Sequence, residues 1–258
     1  MQKIRSTTGT TISFDRYGSG PPLVLVHGAF SDHASNWQYV KPILEQHYTV
    51  YAVARRGRGE TDATSGHSLE DEGRDVAGVI ATIDRPVLLL GHSYGAHTSL
   101  LAAVQVPSRV SKLVLYEPGW PHLLGDAILA PLESLAASGD WDRFATHFFG
   151  DVLSVPGDDL EQLRASADWP PILADAPATL HDFRALNRYS FVPERFRDLA
   201  MPVLLQIGTE SPRDLYVTDA LAGVLRDVRI GELRGQAHEA MTTAPQRYAE
   251  EVDRFLRG

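Results

Sequence analysis

The chain has 258 residues, 43% hydrophobic and 22% charged, which is the composition of an ordinary folded protein and not of a disordered segment. A formal net charge of −9, from 24 Lys+Arg against 33 Asp+Glu, disfavours a nucleic-acid partner. The one basic cluster, Arg55-Arg56-Gly57-Arg58, is too short to reverse that balance and reads as a structural loop clamp. Zero cysteines exclude disulfides, thiolate metal sites and a thiol nucleophile together.

The first eight residues lack the apolar core of a signal peptide, and no uninterrupted apolar run approaches the roughly 20 residues that span a bilayer. The expectation is a cytoplasmic, unanchored protein with no membrane partner. Alternating segments around Lys3 to Ser6 and Thr10 to Arg16 predict an antiparallel edge hairpin turning at Gly9. Buried strands are predicted at Leu23 to Val26, Tyr48 to Val53, Val87 to Leu90, Leu113 to Tyr116 and Val203 to Ile207, with a late strand at Val228 to Leu233. Their continuous hydrophobicity argues for strands covered on both faces, hence a parallel sheet between helix layers.

Helices are predicted at 34–46, at 69–83 with Ser68 as N-cap, at 94–106 before Pro107, and at 245–257 with Pro245 in the first turn. The strand, helix, strand order from about 22 to 117 is a doubly wound α/β pattern. The stretch 118–200 breaks it. It is rich in Pro, Trp, Asp and Ala, holds helical fragments at 127–137, 140–149 and 178–188, and offers no core strand. The expected organisation is an α/β core of 1–117 and 201–258 with 118–200 inserted as a helical cap.

The sharpest local signal is Gly91-His92-Ser93-Tyr94-Gly95, placed between a buried strand and a helix. Gly-x-Ser-x-Gly in that setting is a nucleophile elbow, whose glycines permit the tight turn that presents the serine. A serine hydroxyl is a weak nucleophile and needs a base in hydrogen-bond reach. His238 follows the late strand and precedes the terminal helix, so it belongs on a loop at the carboxyl end of the sheet, where reacting groups gather in open α/β folds. His92 reads as a packed support residue. His27-Gly28-Ala29-Phe30 ends the first long strand, and the Ala29 and Tyr94 amides are candidate donors for an oxyanion.

These pieces, in this order, make the chain resemble the α/β-hydrolase superfamily over essentially its whole length. They are His27-Gly28, Arg56-Gly57-Arg58-Gly59, the Gly91-to-Gly95 elbow and His238. The resemblance implies a mostly parallel eight-stranded sheet with helices on both faces, a helical lid, a Ser-acid-His triad in that chain order, and no metal or organic cofactor. The sequence departs from the usual pattern at the acid, because Ser211 stands where many relatives carry Asp after the penultimate strand. A second family location lies after the strand that follows the nucleophile helix; there the chain reads Tyr116-Glu117-Pro118. Glu117 is therefore assigned the acid, with Glu210 and Asp214 as alternatives.

Ser93 in place of an Asp nucleophile argues against dehalogenase and epoxide-hydrolase chemistry. Phe30, Trp37, Trp120, Trp141, Phe148, Phe149 and Trp169 are candidates to line an apolar pocket, Phe30 and Trp120 foremost. The resulting expectation is a cofactor-free serine hydrolase acting on an ester, lactone or thioester of a small to medium apolar acyl compound. Rivals are the same triad used for acyl transfer, a lyase or a natural-product cyclase, and a non-catalytic ligand-binding member. The expected partner is a small-molecule substrate, and the sequence leaves a homodimer open.

Overall fold

The computed structural model describes residues 1–63 and 66–258. Its hydrophobic runs become eight strands: β1 (Gln2–Arg5), β2 (Thr11–Tyr17), β3 (Pro22–Val26), β4 (Thr49–Ala54), β5 (Val87–His92), β6 (Val110–Tyr116), β7 (Val203–Gly208) and β8 (Val228–Leu233). They form one sheet in the order β1-β2-β4-β3-β5-β6-β7-β8. β2 runs antiparallel to β1 and β4, and every other pairing is parallel. The edge hairpin turns at Gly9, whose φ of 81° suits only glycine without strain.

The buried strands read as unbroken apolar runs because both faces are covered. Along β5, Val87 and Leu89 join one core cluster while Leu88 and Leu90 join the other. The first cluster lies under α2 (Leu69–Ala81) and α3 (Tyr94–Gln105). The second lies under Trp37, α1 (Lys41–Leu44) and one face of α10 (Pro245–Arg257), through Tyr248, Ala249, Val252, Phe255 and Leu256. Helix α2 opens with Ser68 as predicted. The Ser68 hydroxyl accepts the Asp71 N–H and the Asp71 carboxylate accepts the Ser68 N–H, a reciprocal cap worth about 1 kcal/mol.

Between β6 and β7 the chain is helical: α4 (Asp126–Ala137), α5 (Trp141–His147) running into a π-helical turn at Phe148–Val152, α6 (Gly157–Ala165) and α7 (Trp169–Asn187). α8 (Thr218–Ala222) and α9 (Ala240–Thr243) are short connections on either side of β8. No described helix is long and apolar enough to cross a membrane.

The helix expected over 34–46 shrinks to residues 41–44. Asp32 Oδ1 accepts the backbone N–H of Ala34 and Ser35, at 2.8 and 2.7 Å, and Ser35 Oγ accepts that of Asp32. These local bonds compete with a helix, and Pro42 is compatible only with a first turn.

Candidate active site

The strands β3, β5, β6, β7 and β8 are neighbours, so the residues that follow their carboxyl ends converge. Ser93 follows β5 at φ 54° and ψ −119° and forms the N-cap of α3. That conformation is costly for a side-chain-bearing residue, on the order of 1–3 kcal/mol, and persists only where the surroundings impose it. The flanking glycines are what allow it. A Cβ at Gly91 would collide with the Gly95 carbonyl, and one at Gly95 with the carbonyls of Val26 and His27. Gly28 is close-packed as well, though less tightly, since a Cβ there would lie 3.0 Å from His92 Nδ1 and 3.1 Å from Ser93 Cβ.

Glu117 follows β6, also at positive φ (47°), and is fully buried. Its Oε1 accepts the Gly208 N–H at 2.7 Å, and its Oε2 lies 2.6 Å from Nδ1 of His238. With Nδ1 so bound, His238 keeps Nε2 for another partner. Burial alone would lower the imidazole pKa, but the hydrogen bond and charge of Glu117, with the charge of Glu239, outweigh it and hold it above its ordinary value. Glu210 and Asp214 are exposed and do not reach His238. Ser211, in the usual acid position, presents a hydroxyl and not a carboxylate, and Glu117 holds His238 Nδ1 in its stead.

Ser93 and His238 open on one cavity of about 340 Å³, which Ala29, Phe30, Tyr94 and Trp120 also line. His92 ties the elbow to the His238 loop, its Nε2 lying 3.1 Å from the His238 carbonyl and its ring centroid 4.7 Å from that of His238. Burial, then the His238 charge, push His92 well below its ordinary pKa, so it stands neutral. Among the described residues the amide N–H groups of Ala29 and Tyr94 are not used within the protein, leaving both donors free. The Tyr94 side chain points elsewhere, its hydroxyl donating to Glu72 at 2.7 Å beneath the Arg55 guanidinium.

Of the aromatic residues singled out in the sequence, Phe30, Trp120, Phe148 and Phe149 line the cavity. Trp37, Trp141 and Trp169 do not: Trp37 belongs to the core on the opposite face of the sheet, and Trp141 and Trp169 pack within the helical segment. Sequence reasoning missed Tyr216, whose hydroxyl lies 3.2 Å from His238 Nδ1 and whose ring stacks on the imidazole at 5.5 Å. It also missed Asn36, which accepts the Gly28 N–H at 3.0 Å and lies 3.1 Å from His92 Nδ1.

Two further cavity residues, Asp168 and Glu239, are acids. Glu239 has surface open to the cleft yet lies deep in the protein's volume; this desolvation, opposed by the His238 charge and reinforced by Glu117 and Asp168, pushes it up to about 7. No Lys or Arg is among the described residues lining the cavity.

Two groups of side chains have metal-ligand character by proximity: His92, His238 and Glu239, and His67, Glu72 and Asp182. In the first, His238 Nδ1 is already held by Glu117. In the second, the carboxylates bind Arg55, with Arg55 Nη1 3.0 Å from Glu72 Oε2 and Nη2 2.7 Å from Asp182 Oδ2. A guanidinium in their midst disfavours a cation there.

The sequence profile of the Alpha/beta hydrolase family matches residues 23–251. A 2-(acetamidomethylene)succinate hydrolase of Mesorhizobium japonicum is 29% identical over 95% of this chain and 91% of its own length. A 3-oxoadipate enol-lactonase of Acinetobacter baylyi is 25% identical over 81% of this chain and 79% of its own. Among solved structures, an alpha/beta hydrolase from Sphaerobacter thermophilus superposes with a TM-score of 0.86 at 30% identity, covering 99% of this chain and 100% of that one.

Proposed function

Since the chain belongs to the alpha/beta hydrolase family, we propose that it is a serine hydrolase cleaving an ester, lactone or thioester of an uncharged, largely apolar acyl compound. The observation that carries the reading is the bond of 2.6 Å between Glu117 Oε2 and His238 Nδ1, beside a cavity that His238 and Ser93 both line. Ser93 Oγ attacks the substrate carbonyl carbon while His238 Nε2 takes the hydroxyl proton. The carbonyl oxygen becomes an oxyanion held by the Ala29 and Tyr94 amides, and the tetrahedral adduct expels the leaving group with the proton from His238. Water, deprotonated by the same imidazole, then frees the acyl group from Ser93. Glu117 keeps the tautomer that leaves Nε2 free and stabilises the imidazolium.

A fluorophosphonate probe tests the reading. Ser93 is expected to label in the folded protein and Ser93→Ala is not, and turnover of short p-nitrophenyl esters is expected to vanish with the label. Folded protein that neither labels nor turns over esters is a ligand-binding member of the family, and the proposal is then wrong.

The relative named for a succinate acts, by that name, on a compound with carboxylates. The cavity here carries Asp168 and Glu239 without Lys or Arg among its described lining residues. Burial lowers both His92 and His97, so neither offers a cationic partner. An anionic substrate therefore meets like charge from Asp168 and Glu239 with no Lys or Arg among the described lining residues to offset it. Of two esters of one alcohol, a butyrate and a succinate half-ester, the butyrate is expected to show kcat/KM higher by about tenfold or more, a difference of roughly 1.4 kcal/mol. Equal values at pH 8 would remove charge as the selector.

A further inference from the structure

We infer that Thr179, on the helical segment, is a positioning residue that aligns the Ala29 amide for the developing oxyanion. The inference rests on the serine-hydrolase reading above. Residue 29 sits between two anchors that both lead to α7. On one side, the Phe30 N–H donates to Thr179 Oγ1 at 2.7 Å. Thr179 is fully buried, and its hydroxyl donates to Asp175 Oδ2 at 2.8 Å. Asp175 is gripped in turn by both arms of Arg58, at 2.8 and 2.9 Å.

On the other side, the Gly28 carbonyl accepts from Arg55 Nη2 at 2.8 Å, and the His27 carbonyl from Arg55 Nε at 2.9 Å. Arg55 holds Asp182, three residues beyond Thr179 on the same helix, at 2.7 and 3.0 Å. Arg55 thus holds the Gly28–Ala29 peptide, which carries the Ala29 N–H, and Thr179 holds the Ala29–Phe30 peptide that follows, so the backbone on both sides of the Ala29 Cα, and with it the direction of that N–H, is clamped from α7. Phe30 itself has φ of 54°, a conformation that needs such external restraint. Its ring adds a contact to Phe183 of α7, at 5.8 Å between centroids. Oxyanion stabilisation depends on donors held in place before the charge forms, so loosening this anchor acts on the transition state more than on substrate binding.

Thr179→Val removes the acceptor and keeps the shape. On a p-nitrophenyl ester it is expected to lower kcat about tenfold or more while KM stays within about twofold, because a misaligned donor forfeits part of the 10²–10³ that a deleted donor costs. A trifluoromethyl ketone, whose adduct with Ser93 carries an oxyanion in the same place, is expected to bind more weakly by about the same factor. Thr179→Ser keeps the acceptor and is expected to stay within about twofold of the unsubstituted chain in both measurements. Unchanged kcat and ketone affinity in Thr179→Val, or an equal loss in the Val and Ser variants, would overturn the inference.

Should the Val variant not fold, Thr179→Ala removes the same acceptor without crowding and is read in the same way. Amide exchange in the unsubstituted chain needs no variant: the Phe30 N–H is expected to be protected, and exchange at the free-peptide rate overturns the anchor. Absence of Ser93 labelling in the unsubstituted chain is a different failure, that of the hydrolase reading itself.

Discussion

Glu117→Gln is expected to lower kcat on an activated aryl ester by roughly 10²–10⁴-fold while Glu210→Gln and Asp214→Asn stay near the unsubstituted value. The carboxylate at 117 serves two donors at once, the Gly208 N–H at 2.7 Å and His238 Nδ1 at 2.6 Å. A glutamine has one acceptor oxygen and one amide group, so it satisfies one donor and confronts the other with N–H. If the oxygen stays with Gly208, His238 shifts its proton to Nε2 to let Nδ1 accept from the amide, and that tautomer cannot take a proton from Ser93. If the oxygen turns to His238, the Gly208 N–H is left unmatched in a fully buried place, and the imidazolium loses its counter-charge.

The pH profile gives the same substitution a second, signed readout. His238 works as a base only when neutral, and Glu117 is what raises its pKa against the effect of burial. Loss of that charge lets burial dominate, so the acid limb of kcat/KM is expected to move to lower pH in Glu117→Gln while the plateau drops. An acid limb that stays in place, or activity equal to the unsubstituted chain, would mean that Glu117 does not act on His238.

The positions of Ser93, Glu117 and His238 were legible in the sequence for a common reason. Each follows the carboxyl end of a predicted strand, and strand ends in a parallel sheet all point to one edge. Pro118 marks the end of β6 and the glycines mark the end of β5. The anchors were not legible because each is a long-range contact: Phe30 bonds to Thr179, 149 residues away, and Tyr216 reaches His238 from a loop with no pattern of its own. The positive φ of Phe30 and Glu117 likewise comes from tertiary restraint. Helix α7 was expected only over 178–188, yet it starts at Trp169 and runs through Pro177. Buried Ala176, Thr179, Leu180 and Phe183 carry the helix through it, tertiary packing overriding a local penalty of about 3 kcal/mol.

Arg55→Met is expected to destabilise the fold by about 3–5 kcal/mol at neutral pH, read from urea unfolding midpoints, because it leaves the buried Glu72 carboxylate without its guanidinium. The Arg55, Glu72 and Asp182 side chains are each 1% exposed. Arg58 remains, but it already serves Asp175 as well as Asp182, so it cannot also neutralise Glu72. Methionine fills the volume and offers no donor to the Gly28 and His27 carbonyls that Arg55 holds. Arg55→Lys is expected to recover only part of the loss, since one ammonium cannot reproduce the fork that binds Asp182 through two nitrogens. The sign of the pH dependence follows from Glu72. Burial would raise its pKa, but the Arg55 charge, with His67 and Tyr94, depresses it below 4.5. In the unsubstituted chain that depressed pKa contributes stability above pH 4.5, lost as pH falls through the folded value. Without Arg55 the carboxyl rises, so the variant lacks this contribution, and the stability gap between the two chains is widest near neutrality and narrows below pH 4.5. A gap that widens on acidification would mean that Glu72 is not the group Arg55 compensates.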